Sequence, residues 1–144
     1  MIGLVITGHL NFASGYQSAV IAIAGDSPQV EYVDFLGSMS PNQLEEKLRE
    51  AVNKVNSGEG VLFLTDIPGG SPFQRSAHIA STIDKADVIS GTSLVMAAEA
   101  CLEREGMELS ELVAQLMETG VDNIKSLKQK LKSAKKTYAM EEGI

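Results

Sequence analysis

The sequence predicts an α/β domain in which an open, doubly wound and mainly parallel sheet carries helices on both faces. Two short runs, residues 2–6 and 61–64, hold only apolar residues and glycine, as expected for strands buried on both faces. A segment with helical periodicity follows each strand-like run, and the connections are short. Strand–helix alternation of this kind favours right-handed crossovers between parallel strands.

The first half of the chain contains two predicted strand–helix units. The first strand leads into a helix over residues 14–24, which Ser14 is placed to cap. Residues 29–35 alternate well enough for a second strand. Ser40 followed by Pro41 then predicts a helix start, because a cap residue precedes proline at the first helical position.

The second half continues the alternation. A third strand over residues 60–66 ends in the carboxylate of Asp66, and Ser71 is placed as the N-cap of the next helix, with Pro72 at its first position. A shorter fourth strand is predicted over residues 86–92.

Two helices and a tail complete the chain. The first helix runs over residues 93–105, and Ser110 is predicted to cap the second, which ends near Gly120. The lysine-rich stretch 125–136 is interpreted as a solvated end, with residues 141–144 frayed. No repeat or linker divides the chain, so one domain over residues 1–127 and a tail over 128–144 are expected.

Composition narrows the function classes. With 144 residues, 44% of them hydrophobic and 22% charged, the chain fits one ordinary globular domain. A formal net charge of −7 argues against general binding to nucleic acid or anionic membranes. Cys101 is the only cysteine, so no intrachain disulfide is expected. With neither a signal-peptide pattern nor a span long enough to cross a bilayer, we expect a cytoplasmic protein.

Three features are expected to converge at the carboxyl edge of the sheet. His9 follows the first strand, Asp66 ends the third, and the turn Gly69-Gly70-Ser71 opens a helix beside it. If the strand order is 2-1-3-4, as in flavodoxin-like sheets, His9 and Asp66 face each other across the crevice where such sheets bind ligands.

This combination favours phosphoryl chemistry. A carboxylate that accepts one ring N–H fixes the imidazole tautomer, so the other nitrogen is free to attack phosphorus. Glycine-rich turns and helix N-termini offer N–H groups to a phosphate. The same residues would suit a general base acting on a phosphorylated small molecule, and Asp66 could instead only cap its turn. His78 is interpreted as structural or surface, and no zinc site is expected.

Three blocks of the sequence resemble the IIA component of the mannose-type (mannose/fructose/sorbose/N-acetylgalactosamine) sugar phosphotransferase system (PTS). The resemblance covers residues 2–127 in family order. Its blocks are Thr7-Gly8-His9 with Asn11-Phe12-Ala13-Ser14-Gly15, Thr65-Asp66 with Gly69-Gly70-Ser71-Pro72-Phe73, and Val88-Ile89-Ser90-Gly91.

The resemblance implies a cytoplasmic phosphotransferase without a cofactor. It would take a phosphoryl group from the phosphocarrier protein HPr onto Nε2 of His9 and pass it to a histidine of the IIB component, for sugar uptake through the membrane subunits IIC and IID. Asp66 would orient Nδ1, and Ser71 would lie beside the phosphate. The family also implies a homodimer that exchanges a C-terminal strand, here around residues 121–127.

The sequence departs from the family pattern near the site. Leu10 and Gln74 replace the usual glycine and asparagine, and Ser93 and Val95 stand in a segment that often reads Asn-Leu-Pro-Met. These departures leave transfer rate and partner choice open. Partners are expected to dock on an apolar ring around His9 formed by Leu10, Phe12, Ile67 and Phe73.

Two other functions remain open at this point. One is the related phosphoryl donor of dihydroxyacetone kinase, whose residues around the serine turn differ from Gly-Gly-Ser-Pro-Phe. The other is a regulatory module of the same fold that senses phosphorylation without relaying it. The sequence does not name the sugar, because a IIA component does not touch it.

Overall fold

The computed structural model describes residues 1–141, with side chains up to Lys136. Four strands and six helices make up this part of the chain. The strands are β1 (Gly3–His9), β2 (Val30–Phe35), β3 (Val61–Thr65) and β4 (Ala86–Ile89). The helices are α1 (Phe12–Ala24), α2 (Pro41–Val55), α3 (Ser71–Ala80), α4 (Leu94–Glu103), α5 (Leu109–Asp122) and α6 (Leu127–Glu141).

The strands form one parallel sheet of order β2-β1-β3-β4, which confirms the predicted fold class. In the register of this sheet, His9 lies beside Phe35 of β2, and Thr7 lies beside Thr65 of β3. The order reverses between β1 and β3, so the carboxyl ends of these two strands border the crevice in which such sheets bind ligands.

Alternating residues of the central strands build two separate cores. Leu4 and Ile6 of β1 face α1, α4 and α5, where they pack against residues such as Leu116. Val5 and Phe63 face the other side, where α2 and α3 cover them. Because both faces are buried, β1 and β3 read as continuous apolar runs, which is the pattern that predicted them.

The buried guanidinium of Arg104 connects the loops that lead into β1 and β2 at the amino edge of the sheet. Arg104, directly after α4, is only 1% exposed, and burial lowers the pKa of its guanidinium. Its Nη1 donates to the carbonyls of Ile2 (2.8 Å) and Gln29 (3.0 Å), at the starts of β1 and β2. Its Nη2 donates to the Ser27 hydroxyl and the Pro28 carbonyl. One side chain thus supplies donors to four oxygens of the loops that lead into two strands.

The predicted caps of α1 and α5 are wrong. Helix α1 starts at Phe12, two residues before Ser14, because the carboxylate of Asp34 at the end of β2 accepts the Ser14 N–H at 2.9 Å. The cap therefore comes from the Asp34 side chain of β2, whereas the sequence predicts it from the Ser14 side chain. Helix α5 starts at Leu109 after Glu108, so Ser110 lies inside its first turn. The Ser40–Pro41 start of α2 is confirmed, with a complete capping box between Ser40 and Gln43.

The C-terminal third differs most from the prediction. Residues 121–127 do not form a strand: α5 continues to Asp122, and α6 begins at Leu127 after a short irregular connection. An exchanged strand takes its hydrogen bonds from the sheet edge of a second copy, so exchange in a dimer stays a prediction. Most of the lysine-rich stretch 125–136 lies in helix α6. The sequence predicts fraying of residues 141–144: Glu141 is instead the last residue of α6, and residues 142–144 lie outside the described residues.

No helix within residues 1–141 is both long enough and apolar enough to cross a membrane.

The Arg104 contacts generate a stability prediction. Arg104→Met should lower the free energy of unfolding by about 3 kcal/mol or more, because buried carbonyl oxygens lose their donors. Urea unfolding followed by circular dichroism measures the change. Arg49→Met, at an exposed position of α2, is the matched control and should change stability little. Equal effects of the two substitutions would contradict the structural role of Arg104.

Candidate functional site

His9 and Asp66 meet where β1 and β3 end. His9 is the last residue of β1, and Asp66 directly follows β3. Asp66 Oδ2 lies 2.7 Å from His9 Nδ1, and the same oxygen accepts the backbone N–H of His9 at 2.8 Å. One carboxylate oxygen therefore holds both the ring and the backbone of the histidine.

The environment of Asp66 keeps it ionised. Burial raises the pKa of its carboxyl, but hydrogen bonds from the backbone and ring of His9 and from the Ile67 amide outweigh burial and bring the pKa below its ordinary value. Because this pKa is lowered, the interaction contributes stability at neutral pH, and the contribution is lost as pH falls through the lowered pKa. An ionised carboxylate only accepts hydrogen bonds, so the proton of a neutral His9 ring resides on Nδ1 and leaves the lone pair on Nε2.

The free side of the imidazole lies against the start of α3. A Cβ placed on Gly70 would lie 2.7 Å from His9 Cε1 and 3.4 Å from Nε2, so a larger residue would displace the ring. Gly70 directly precedes α3, and helix N-termini present unpaired N–H groups and a positive dipole end. The imidazole side chain is 42% exposed, whereas that of Asp66 is 12% exposed. The reactive nitrogen is thus accessible while its orienting partner is shielded.

The glycine turn has a specific brace. Gly69 has a φ of +78°, a conformation that favours glycine, and its carbonyl accepts a hydrogen bond from the Gln74 side chain at 2.9 Å. Gln74 therefore steadies the turn. Ser71 is the first residue of α3, with Gly70 as the cap residue, so the prediction that Ser71 caps this helix is wrong. The shift by one residue follows from Gly70, whose extended backbone takes the cap position.

Phe35 is a site residue that the sequence interpretation did not assign. Its ring meets the His9 ring edge to face, with centroids 5.9 Å apart and an interplanar angle of 63°. Phe35 ends β2 and is the register partner of His9, so the predicted strand order alone could have placed it here. It supports the imidazole from the side of β2, while Asp66 holds it from the side of β3.

Exposed apolar side chains border the histidine. Leu10 and Ile67, the residues after His9 and Asp66, are 59% and 57% exposed. Leu36, which follows Phe35 and was not predicted, is also exposed. Phe12 is half-buried and packs on Tyr16, with ring centroids 4.2 Å apart.

Phe73 belongs to a different surface. This half-buried side chain lines an open groove of about 500 Å³ beside β4, which we call the β4 groove. Its apolar lining includes Phe73, Val88, Val113, Met117, Val121 and Ile124.

The backbone of Leu10 is unusual. Its φ of +49° lies in the left-handed region, and its N–H donates to the Phe35 carbonyl at 2.7 Å. This hydrogen bond turns the chain out of β1 and keeps Leu10 in a conformation that costs non-glycine residues about 1–2 kcal/mol. The glycine that the resembling family commonly has at this position would adopt it without strain.

Within the described residues, no three His, Cys, Asp or Glu side chains cluster in a way that could hold a metal ion.

One protein-family model matches most of the chain. The EIIA-man family model, described as "PTS system fructose IIA component", matches residues 3–117. The chain belongs to the EIIA-man family. It is a PTS component of the mannose/fructose type, and EIIA components in general are phosphotransferases.

Individual relatives cover most of the chain. It is 33% identical over 127 residues to a provisionally named phosphotransferase enzyme IIA component, YadI, of Escherichia coli (strain K12), covering 88% of this chain and 87% of the relative. It is 32% identical over 130 residues to the mannose-specific EIIAB component of the same strain, covering 90% of this chain and 40% of that longer protein. The crystal structure of an EIIA component from Streptococcus agalactiae superposes with a TM-score of 0.83 at 30% identity, covering 90% of this chain and 99% of the other.

In this EIIA chain, Asp66→Asn is expected to weaken the preference of the His9 ring for the Nδ1–H tautomer. An amide can donate as well as accept a hydrogen bond, so the fraction of Nε2–H ring should rise. Nitrogen-15 NMR of the histidine ring reports the two tautomers directly. Asp34→Asn is the matched control, because Asp34 is the penultimate residue of β2 and accepts a hydrogen bond from Ser14 of α1 rather than from His9. An unchanged tautomer in Asp66→Asn would contradict the orienting role.

Leu10→Gly should stabilise the protein by up to about 1 kcal/mol, because relief of left-handed strain exceeds the extra entropy of unfolded glycine. Leu10→Ala removes the same exposed side chain but keeps the strain. A difference between the two variants in urea unfolding isolates the backbone effect, and equal stabilities would contradict it.

Proposed function

We propose that the chain carries a phosphoryl group on Nε2 of His9, which it accepts from phospho-HPr and passes to a histidine of the IIB component. The observation that carries this proposal is the 2.7 Å contact between Asp66 Oδ2 and His9 Nδ1, which leaves Nε2 as the free nucleophile. The exposed position of the ring suits a group that must meet two different proteins in turn.

Transfer would be a displacement between two histidines. The lone pair of His9 Nε2 forms the new N–P bond, and the N–P bond of the donor phosphohistidine breaks, with its electron pair returning to the donor nitrogen. Positive charge develops on the His9 ring, and the ionised Asp66 carboxylate stabilises it through the retained Nδ1–H. Because both bonds are of the same kind, the step is nearly balanced in energy and requires mainly alignment.

The start of α3 would hold the phosphoryl oxygens. Gly70 brings this helix end against the Nε2 side of the ring, and the N–H groups of Ser71 and Phe73 lie in its first turn. The Ser71 hydroxyl would add a donor next to them. Gly69 and Gly70 provide the turn and the space, respectively, that let this helix end approach.

Partner proteins would dock on the apolar rim of His9. Leu10 and Ile67 are the exposed members of the proposed ring, and both lie next to site residues. Phe12 is half-buried, so it would support the rim rather than contact a partner, whereas Phe73 lies in the β4 groove and would not belong to the rim. The relay would operate in the cytoplasm, with the membrane subunits IIC and IID reached only through IIB.

A homodimer would cover the β4 groove. β4 is an edge strand, and the groove beside it is apolar. Val121 and Ile124 line the groove and are strongly exposed, as is Leu127 at the end of segment 121–127. In an exchanged dimer, the part of segment 121–127 that precedes α6 would leave its present conformation and pair with the open β4 edge of the second copy, while α6 would stay helical.

The proposal is tested by incubating the protein with phosphoenolpyruvate, enzyme I and HPr and measuring its intact mass. Wild type should gain one acid-labile phosphoryl group, and His9→Ala should gain none. His78→Ala is the matched control, because His78 is the other histidine and lies exposed on α3; it should be labelled like wild type. An unlabelled wild type would refute the phosphocarrier function.

Onward transfer separates a carrier from a sensor. Labelled protein that is purified and mixed with a mannose-type IIB component should lose its phosphoryl group to IIB. Retention of the label in the presence of IIB would indicate a module that is phosphorylated by HPr but does not relay.

A further inference from the structure

Helix α6 concentrates positive charge on an otherwise acidic chain. Residues 125–136 contain six of the twelve Lys and Arg residues, whereas all 19 Asp and Glu residues lie outside this stretch. Within residues 1–136, no lysine of α6 takes part in an ion pair. The family model ends at residue 117, so the match that identifies the domain does not include this helix.

The same helix carries an apolar stripe. Leu127, Leu131 and Ala134 are spaced four and three residues apart, which places them on one face. At about 100° per residue, Lys128 and Lys135 fall on one side of this stripe and Lys130 on the other. Leu127 and Leu131 are 72% and 61% exposed, so the stripe faces solvent. Lysines that flank a short apolar face are typical of helices that lie in the surface of a membrane.

The helix is joined to the domain by a short irregular connection. Residues 124–126 have no regular secondary structure, and every side chain from Val121 to Lys136 is exposed. Helix α6 has 15 residues and is therefore about 22 Å long. The exposed connection of three residues lets α6 lie on an anionic surface beside the acidic domain.

We propose that α6 binds the anionic headgroups of a lipid surface, lying along it with Leu127 and Leu131 facing the acyl chains. The net charge of −7 argues against membrane binding by the protein as a whole, but the segregation of charge reverses that conclusion for this helix. Such contact would hold a phosphocarrier beside a membrane without any spanning segment. The binding itself depends only on α6 and not on the proposed chemistry of His9.

A second copy of the chain fits α6 less well than a lipid surface. The β4 groove is apolar, and Asp87 is the one charged side chain among the described residues that line it, so its charge does not match that of several lysines. The groove between β2 and α2 carries both signs, with Glu31, Asp34 and Glu50 beside Lys47 and Lys54. A uniformly anionic headgroup layer complements both the charge and the stripe.

The test is co-sedimentation of the full chain with vesicles of phosphatidylglycerol and phosphatidylcholine in equal amounts. Wild type should sediment with these vesicles at low ionic strength and dissociate from them at high ionic strength. It should not sediment with vesicles of pure phosphatidylcholine. Each lysine near an anionic surface contributes about fivefold, so K128Q/K130Q/K135Q should weaken binding by about 100-fold. The matched control K47Q/K54Q/K85Q removes the same charge from exposed positions of the domain and should bind like wild type.

A second variant tests the apolar stripe, and three results would overturn the proposal. L127S/L131S should also weaken binding by more than tenfold, because the stripe loses its apolar area. Absence of sedimentation with the anionic vesicles, or equal weakening by both lysine triples, would overturn the proposal. So would a dimer in sedimentation equilibrium that K128Q/K130Q/K135Q dissociates, without vesicle binding. Labelling of His9 by HPr is measured on every variant and should remain normal, which separates this result from the phosphocarrier test.

Discussion

The arrangement of the site depends on one carboxylate oxygen. Asp66 Oδ2 accepts both the backbone N–H and the Nδ1–H of His9, so the carboxylate fixes where the histidine sits and which ring nitrogen is free. Neither bond would form if β1 and β3 were separated by another strand. The site therefore requires the parallel order β2-β1-β3-β4. This order brings together the ends of β1 and β3, where His9 and Asp66 lie 57 residues apart along the chain.

The other neighbours of the imidazole complete this constraint from different directions. Phe35 contacts the ring from β2, and Gly70 brings the start of α3 against its free side. Gln74 in turn holds the Gly69 carbonyl, so the turn that positions α3 is braced from within that helix. The histidine is thus held by three elements while its ring stays accessible.

The sequence predicts the sheet, its order and the His9–Asp66 pair well, because apolar strand runs and polar strand ends are strong local patterns. Its failures have a common physical origin. Ser14 and Ser110 have the residue type of caps, but caps depend on which groups approach the helix end, and at α1 Asp34 of another strand does so. The left-handed backbone of Leu10 follows from a hydrogen bond to Phe35, which no local pattern reveals. Residues 121–127 carry no decisive periodicity of their own, so helix and strand could not be separated there.

The position of the Arg104 contacts allows the stability of this protein to change independently of its candidate site. They lie at the amino edge of the sheet, where β1 and β2 begin, while His9, Asp66 and Gly70 lie at the carboxyl edge. Substitutions that tune thermal tolerance can therefore accumulate at one pole without disturbing the chemistry at the other. Natural variation and engineering for higher thermal stability can therefore both act at the amino edge of the sheet.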